Sequence, residues 1–395
     1  MAPALTSNDT ASDVTVTKSH VSRNIFPDGI KTSGQHPPIY EELRAYEDFP
    51  ESIDGPTLWK SEDYRENPER WIHPFSQEEI EEISIAADNF RAAGIPLTGD
   101  NFPLPRLSSF LASIRNELLN GKGFILFKGF PVEAWGNQKS AIAYMGLGTY
   151  LGYFVSQNGK GHVLGHVKDL GEDAKRIDKV RIYRTNARQY FHADPSDIVG
   201  LLCIARALEG GESDITSVHN VYNTLRAERP DVLKTLTEPN WYFDRKGEVS
   251  RGEEPYIRDS VFYLEPKEGG RVYCKWDPYY VRSLERFSSK GIIPPLSPAQ
   301  IEAADVLEAT CKRLSLHMIL EIGDIQFVSN AQVLHARTAY TDHAPPAPRR
   351  HLMRLWLATP ESEGGWCLPF HDRDEKKRGG IQVDDTPPVA HLDAD

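Results

Sequence analysis

The segment Tyr190-Phe191-His192-Ala193-Asp194 sits just ahead of an apolar run over 198–205. On an extended chain, residues two apart point to the same side, so His192 and Asp194 can reach one ion. A second histidine follows 141 positions beyond Asp194, in Val333-Leu334-His335-Ala336-Arg337. A fold that uses all three must bring these distant segments together. Two imidazoles and one carboxylate on one face of a metal leave the opposite positions open, which suits Fe(II) sites that admit a co-substrate and O₂. The His-x-Asp tripeptide alone is a weak signal in a chain with 13 histidines, where a structural role is the default. Its weight comes from what accompanies it.

Fourteen residues after His335 begins Arg349-Arg350-His351-Leu352-Met353-Arg354-Leu355-Trp356-Leu357. Strand alternation puts Arg350, Leu352, Arg354 and Trp356 on one face. A guanidinium is always charged and grips a carboxylate through two parallel hydrogen bonds. Arg350 could thus hold one end of a bidentate co-substrate whose other end chelates the metal. Taken without the triad, the same pattern reads as surface salt bridges on an edge strand.

Around these motifs the chain changes character twice. Residues 1–24 are rich in Ser, Thr, Ala and Asp without periodicity and read as a disordered tail. Residues 25–104 form an arm with many aromatic residues and prolines. Within it a helix is expected over 77–93, opened by a Ser76/Glu79 capping box. A second helix over 105–120 carries an apolar stripe and ends at Gly121. Strands are expected at 123–127, 179–184, 198–205, 215–218, 325–328 and 352–357. Helices are expected at 219–228 and from Ser297-Pro298 onward. The stretch 240–296 reads as strands joined by long loops, 156–180 as a lid, and 376–395 as a loose tail. The expected architecture is one domain over 25–375: mainly β with flanking helices, on a jelly-roll (double-stranded β-helix) core.

Composition narrows the partners. Hydrophobic residues make up 39% and charged residues 26%, an ordinary globular balance, and net charge is −12. The absence of a basic cluster longer than Lys376-Lys377-Arg378 argues against nucleic acid. No run approaches a membrane span, and the first residues lack a secretory pattern. Cys203, Cys274, Cys311 and Cys367 lie far apart and read as buried thiols of a cytoplasmic protein. A homo-oligomer is left open.

Taken together, these motifs resemble the TauD/TfdA-like (taurine dioxygenase) family of Fe(II)/2-oxoglutarate-dependent oxygenases, over roughly residues 105–360. The resemblance rests on Thr185-Asn186 with Phe191-His192-Ala193-Asp194, then Gly210-Gly211-Glu212-Ser213, then Gly323-Asp324 with Asn330 and His335-Ala336-Arg337, and finally the arginine segment. Phe26-Pro27-Asp28-Gly29 and Ser33-Gly34-Gln35-His36-Pro37-Pro38 look like a fungal branch. The resemblance implies iron at His192, Asp194 and His335. It implies 2-oxoglutarate at Arg350, helped by Ser213 where relatives more often carry Thr. Arg354 would face an acidic group of a small substrate, and Asn186 is a candidate substrate contact. Retention of Asp194 speaks against halogenation. Hydroxylation, desaturation and oxidative ring closure, such as aziridine formation on an amino acid in secondary metabolism, all remain open.

Other residues read blandly. His162 and His166 fall in a Gly-flanked loop rather than a zinc helix, and His351 faces away from the arginines. Trp241, Tyr242, Phe243, Tyr279 and Tyr280 read as core packing, and Tyr183 as core or pocket wall. The rival functions are a non-catalytic metal- or ligand-binding jelly roll, and a metal-dependent hydrolase or isomerase, which would not need the Arg350 clamp.

Overall fold

The computed structural model describes residues 38–91, 97–384 and 386–389. The expected tail 1–24 and the motifs before Pro38 lie outside the described residues.

Among the described residues, eleven strands build the two larger sheets. They are β1 (Ile72–Pro74), β2 (Phe124–Lys128), β3 (Tyr153–Phe154), β4 (Leu164–Val167), β5 (Gln189–His192), β6 (Ile198–Ala205), β7 (Ser213–Ser217), β8 (Leu316–Met318), β9 (Ile325–Ser329), β10 (Val333–Arg337) and β11 (His351–Ala358). The larger sheet runs β1-β2-β9-β6-β11-β3, with β4 also paired to β11, and the smaller runs β8-β7-β10-β5. Two sheets facing each other confirm the jelly roll.

Alternation explains how each strand serves two layers. On β11, Met353, Leu355 and Leu357 face a core shared with the N-terminal helices. Leu352, Trp356 and Ala358 face the space between the sheets. Arg354 has the same parity as this second set and so points between the sheets. Strand β6 is apolar on both sides, with Ile198 and Leu202 in the first core and Val199 and Cys203 in the second. Burial on both faces is why its sequence is a continuous apolar run.

Helices cover both outer faces. Helix α1 (Gln77–Arg91) starts at the expected capping box, where Ser76 N donates to Glu79 Oε2 at 2.8 Å and Glu79 N to Ser76 Oγ at 3.2 Å. Helices α2 (Leu107–Asn120) and α3 (Val132–Gly148) pack with it on the larger sheet. Nothing in the sequence pattern singled out α3, because residues 140–148 are buried on every side and show no amphipathic stripe. Gly146 is needed there, since a Cβ would lie 2.3 Å from the Phe102 ring. Helices α4 (Val218–Glu228), α5 (Pro230–Thr237) and α6 (Pro298–Leu314) back the smaller sheet. Ser297 caps α6 as expected, with Pro298 in its first turn. The arm closes one end of the sandwich: Trp59 and Tyr64 pack on Phe124, and Trp59 Nε1 donates to Lys122 O at 2.8 Å.

Three expectations are corrected. Residues 179–184 are no strand: Ile182–Arg184 form a 3₁₀ turn, and Arg181 leaves it to bind Tyr280 Oη at 2.5 Å and Glu248. A short apolar-basic run does not by itself find a sheet edge. Part of the expected lid is sheet, since β4 pairs with β11 and His166 Nδ1 lies 2.8 Å from His351 Nε2. His166 is therefore a strand residue. The described part of 376–395 is not loose near its start either. Arg378 is 2% exposed, meets both Asp197 oxygens (2.6 and 2.8 Å), and donates to Trp366 O at 2.9 Å. The stretch 240–296 adds the helices Pro278–Arg282 and Glu285–Ser288 to two short hairpins.

Two outcomes follow from this packing. Arg378→Met strips a partner from a mostly buried carboxylate and should cost about 3 kcal/mol in urea unfolding. His219 is buried between Thr57 Oγ1 and Val272 O, each at 2.6 Å. Burial pushes its imidazole down to about 4 from 6.5. It stays neutral when folded, whereas the unfolded chain takes up a proton below its ordinary value. Stability should therefore fall as pH drops through that window, by up to about 1.4 kcal/mol per pH unit. Melting temperatures from pH 7 to 4.5 would show this, with a shallower slope in His219→Gln.

Candidate metal centre and co-substrate cavity

Strands β5 and β10 run antiparallel with His192 directly opposite His335. Directly opposed residues share a face. The two imidazole rings therefore stand 4.1 Å apart, centroid to centroid. Asp194, just past the end of β5, places Oδ1 at 3.8 Å from His192 Nε2 and Oδ2 at 3.8 Å from His335 Nε2. The ligand atoms of all three lie within 4.8 Å of one another. The structure thus brings together the three residues expected to hold iron.

Their surroundings fix them. His192 Nδ1 donates to Tyr190 O at 2.9 Å, which leaves the Nε2 lone pair toward the centre. Asp194 N donates to Asn330 Oδ1 at 3.0 Å, and Ala193 N to Trp276 O at 2.8 Å. Glu308 of α6 accepts from Phe191 N at 3.0 Å, tying the motif to the helix behind it. Burial pushes the Asp194 carboxyl up, but Arg354, His335 and His192 outweigh it and hold it below its ordinary value. Burial, reinforced by His192, pushes His335 down to about 3, so its imidazole is neutral, the form that can ligate a metal. Asp194 Oδ2 is buried without a hydrogen-bond partner. Such an orphan acceptor between two imidazoles fits a divalent cation.

The two arginines take different places. Arg350 is buried, donates to Gly211 O at 3.1 Å through one terminal nitrogen, and leaves NH1 without a partner. Gly211, at φ +77°, makes this approach feasible, since a Cβ there would lie 2.6 Å from Arg350 Nε. Ser213 is buried nearby, its Oγ 3.3 Å from Gln326 Oε1. Ser213, Arg350, Arg354 and the triad line one cavity. Arg354 lies over the rings of Tyr183 (4.6 Å) and Trp356 (4.5 Å), donates to Gln157 Oε1 at 2.8 Å, and reaches Asp194 Oδ1 at 3.4 Å. Gly165 leaves room for this amide: a Cβ would lie 2.2 Å from Gln157 Oε1.

Arg354 also lines a second chamber with Asp194, Tyr183, Asp277, Tyr279 and Tyr280. The tyrosine pair is thus pocket wall, whereas Trp241 and Phe243 are core as expected. Asn186 is exposed and is not among the cavity-lining residues; its carbonyl accepts from Tyr340 N at 3.0 Å. From the first position of β5 it is Gln189 that enters, its Nε2 2.9 Å from His192 Nε2. Gln157, Gln189 and Asp277 carried no signal in the sequence. Arg337 did: it lies two residues beyond His335 and shares its face.

A jelly roll holding two histidines and a carboxylate on one face defines a class, the non-haem iron oxygenases. The chain belongs to the taurine catabolism dioxygenase TauD, TfdA family, whose model matches residues 89–356. It is accordingly a dioxygenase dependent on Fe(II), 2-oxoglutarate and O₂. FR-33289 synthase of Streptomyces rubellomurinus is 29% identical over 312 residues, 77% of this chain and 90% of that protein. Taurine hydroxylase-like protein SAT17 of Stachybotrys chartarum is 26% identical, over 78% of this chain and 83% of that one. Asparagine oxygenase, solved with Fe(II), 2S,3S-3-hydroxyasparagine and succinate, superimposes with a TM-score of 0.55 at 16% identity, covering 73% of this chain and 94% of that one. The non-haem iron oxygenase OrfP, solved with Fe and alpha-ketoglutaric acid, gives 0.53 at 14%, with coverage of 73% and 94%. These structural likenesses bear out the fold. Among the described residues, no helix is long and apolar enough to cross a membrane.

Gly211→Ala tests the cradle. The added methyl must push Arg350 aside; with Arg350 as the 2-oxoglutarate contact that the resemblance implies, affinity for 2-oxoglutarate should fall about tenfold, the scale of one charge-assisted hydrogen bond. Calorimetric titration of the Fe(II)-loaded protein under nitrogen would measure it.

Proposed function

We propose that His192, Asp194 and His335 hold the iron, that Arg350 with Ser213 grips the remote carboxylate of 2-oxoglutarate, and that Arg354 faces the acidic group of a small, amino-acid-like substrate. The observation that carries this reading is the convergence of the triad, the partnerless Arg350 NH1 and the orphan Asp194 Oδ2 on a single buried cavity. Iron with 2-oxoglutarate and O₂ supplies oxidation of an unactivated C–H bond, with succinate and CO₂ as co-products.

The chain's own part is positioning. The His192–Tyr190 hydrogen bond aims one imidazole, and Asn330 fixes the backbone that carries Asp194. Arg354 holds the Asp194 charge in place, and its stacking between two aromatic rings keeps water from its faces. Which C–H of a bound substrate lies nearest the triad would be set by the wall of the second chamber, with Tyr183, Tyr279 and Tyr280.

Hydroxyasparagine in the solved asparagine oxygenase, and (3S)-hydroxy-L-Arg in OrfP, support an amino-acid-like substrate. Likeness to the taurine hydroxylase-like protein SAT17 of Stachybotrys chartarum supports the fungal branch, and the proposal extends to a role in secondary metabolism. Within that class the reaction is hydroxylation, desaturation or ring closure, including aziridine formation.

The test is succinate release from 2-oxoglutarate under air with Fe(II) and ascorbate, across amino acids and small sulfonates, with product masses read in parallel. A stimulating acid is expected, and its methyl ester should be turned over at least about tenfold less well, the scale of a lost charged hydrogen bond. An ester as good as its acid would remove Arg354 from substrate recognition. Bound iron with no 2-oxoglutarate binding would overturn the function itself.

A further inference from the structure

Arg337 has no role in the mechanism above, yet it is built into the cavity. On β10 it lies two residues beyond His335, and its direct cross-strand partners are Ser213 on β7 and Gln189 on β5. Cross-strand partners share a face. Arg337 therefore points inward with Ser213, and all three line the cavity that holds the triad and Arg350. It is only 6% exposed.

Its hydrogen bonding is incomplete. One terminal nitrogen donates to the carbonyls of Thr185, at 3.2 Å, and Ala187. Its Nε and NH1 are buried without partners, as is NH1 of Arg350. Both guanidiniums flank one ring, with their carbons 4.7 Å (Arg337) and 5.0 Å (Arg350) from the Tyr340 centroid. Burial pushes Arg337 down to about 10, and Arg350 adds to the shift. Two buried cations side by side, each short of acceptors, are costly unless an anion joins them. A carboxylate has two oxygens and can take a hydrogen bond from each guanidinium.

We propose that Arg337 and Arg350 form a paired clamp on the remote carboxylate of 2-oxoglutarate, with Arg337 a second binding residue beside Ser213. This rests on the assignment of Arg350 to that co-substrate. It goes beyond that assignment in giving the carboxylate two guanidiniums rather than one guanidinium and a hydroxyl. The competing role for Arg337 is purely architectural, as a brace on the 185–187 loop ahead of the His-x-Asp motif.

The test compares two ligands on Fe(II)-loaded full-length protein under nitrogen, by isothermal titration calorimetry. They are 2-oxoglutarate and 2-oxovalerate, which has the same chain length but a methyl group in place of the remote carboxylate. Arg337→Gln should weaken 2-oxoglutarate by about tenfold and leave 2-oxovalerate within about twofold, because only the former offers the clamp a charge. The Arg337→Gln/Arg350→Gln double variant should lose less than the product of the two single losses, since both act on one group. If Arg337→Gln does not fold, Arg337→Lys is read the same way, with 2-oxoglutarate weakened and 2-oxovalerate unchanged. Unchanged 2-oxoglutarate affinity, or equal weakening of both ligands, overturns the clamp and leaves the brace. A wild-type protein that binds neither ligand overturns the proposed function instead.

Discussion

The register between β5 and β10 sets the geometry of everything near the centre. With His192 opposite His335, both imidazoles face the space between the sheets, and the chain leaving β5 delivers Asp194 to the gap between them. A slip of one residue would turn one imidazole to the opposite face of the sheet. The outer face of that sheet packs against α4, α5 and α6, which holds the register. Glu308 adds a direct tether from α6 to the backbone of Phe191.

The same inter-sheet space must hold an unusual amount of charge. Asp194, Arg337, Arg350 and Arg354 are all buried there. Arg354 is neutralised internally by Asp194 and seated on aromatic rings, so it is fixed at rest. Arg337 and Arg350 are held by backbone carbonyls and a shared ring, with hydrogen-bonding capacity to spare. One end of the cavity is therefore internally balanced around His192, Asp194 and His335, and the other is electropositive and short of acceptors. That division matches a co-substrate that chelates at one end and is gripped as an anion at the other.

Much of the centre was legible in the sequence because it obeys strand periodicity. His192 with Asp194, and Arg350 with Arg354, are both read from alternation, a local property of the chain. Ser76 and Ser297 marked helix starts by capping, which is equally local. The same rule applied to His335 also reaches Arg337. Where periodicity was missing the reading failed. Helix α3 is buried on every side over residues 140–148 and shows no stripe there. The 3₁₀ turn at Ile182–Arg184 follows Arg181, whose side chain reaches Tyr280, 99 positions away in the chain, a contact no local pattern shows.

By itself the sequence determined the jelly-roll class, the pairing of His192 with Asp194 and the two arginines on one strand face; the two pairs depend on residue types at short, regular spacing, and His335 was found by the resemblance of the whole motif set. Only the tertiary structure decided that Arg354 leans on Asp194 and Gln157, that Gln189 rather than Asn186 enters the cavity, and that Arg337 stands opposite Ser213. It also showed that Arg378 ties the chain past residue 375 to Asp197. These pairings join segments far apart in the chain. They are set by sheet register and by the need to satisfy buried charges, which no local pattern encodes.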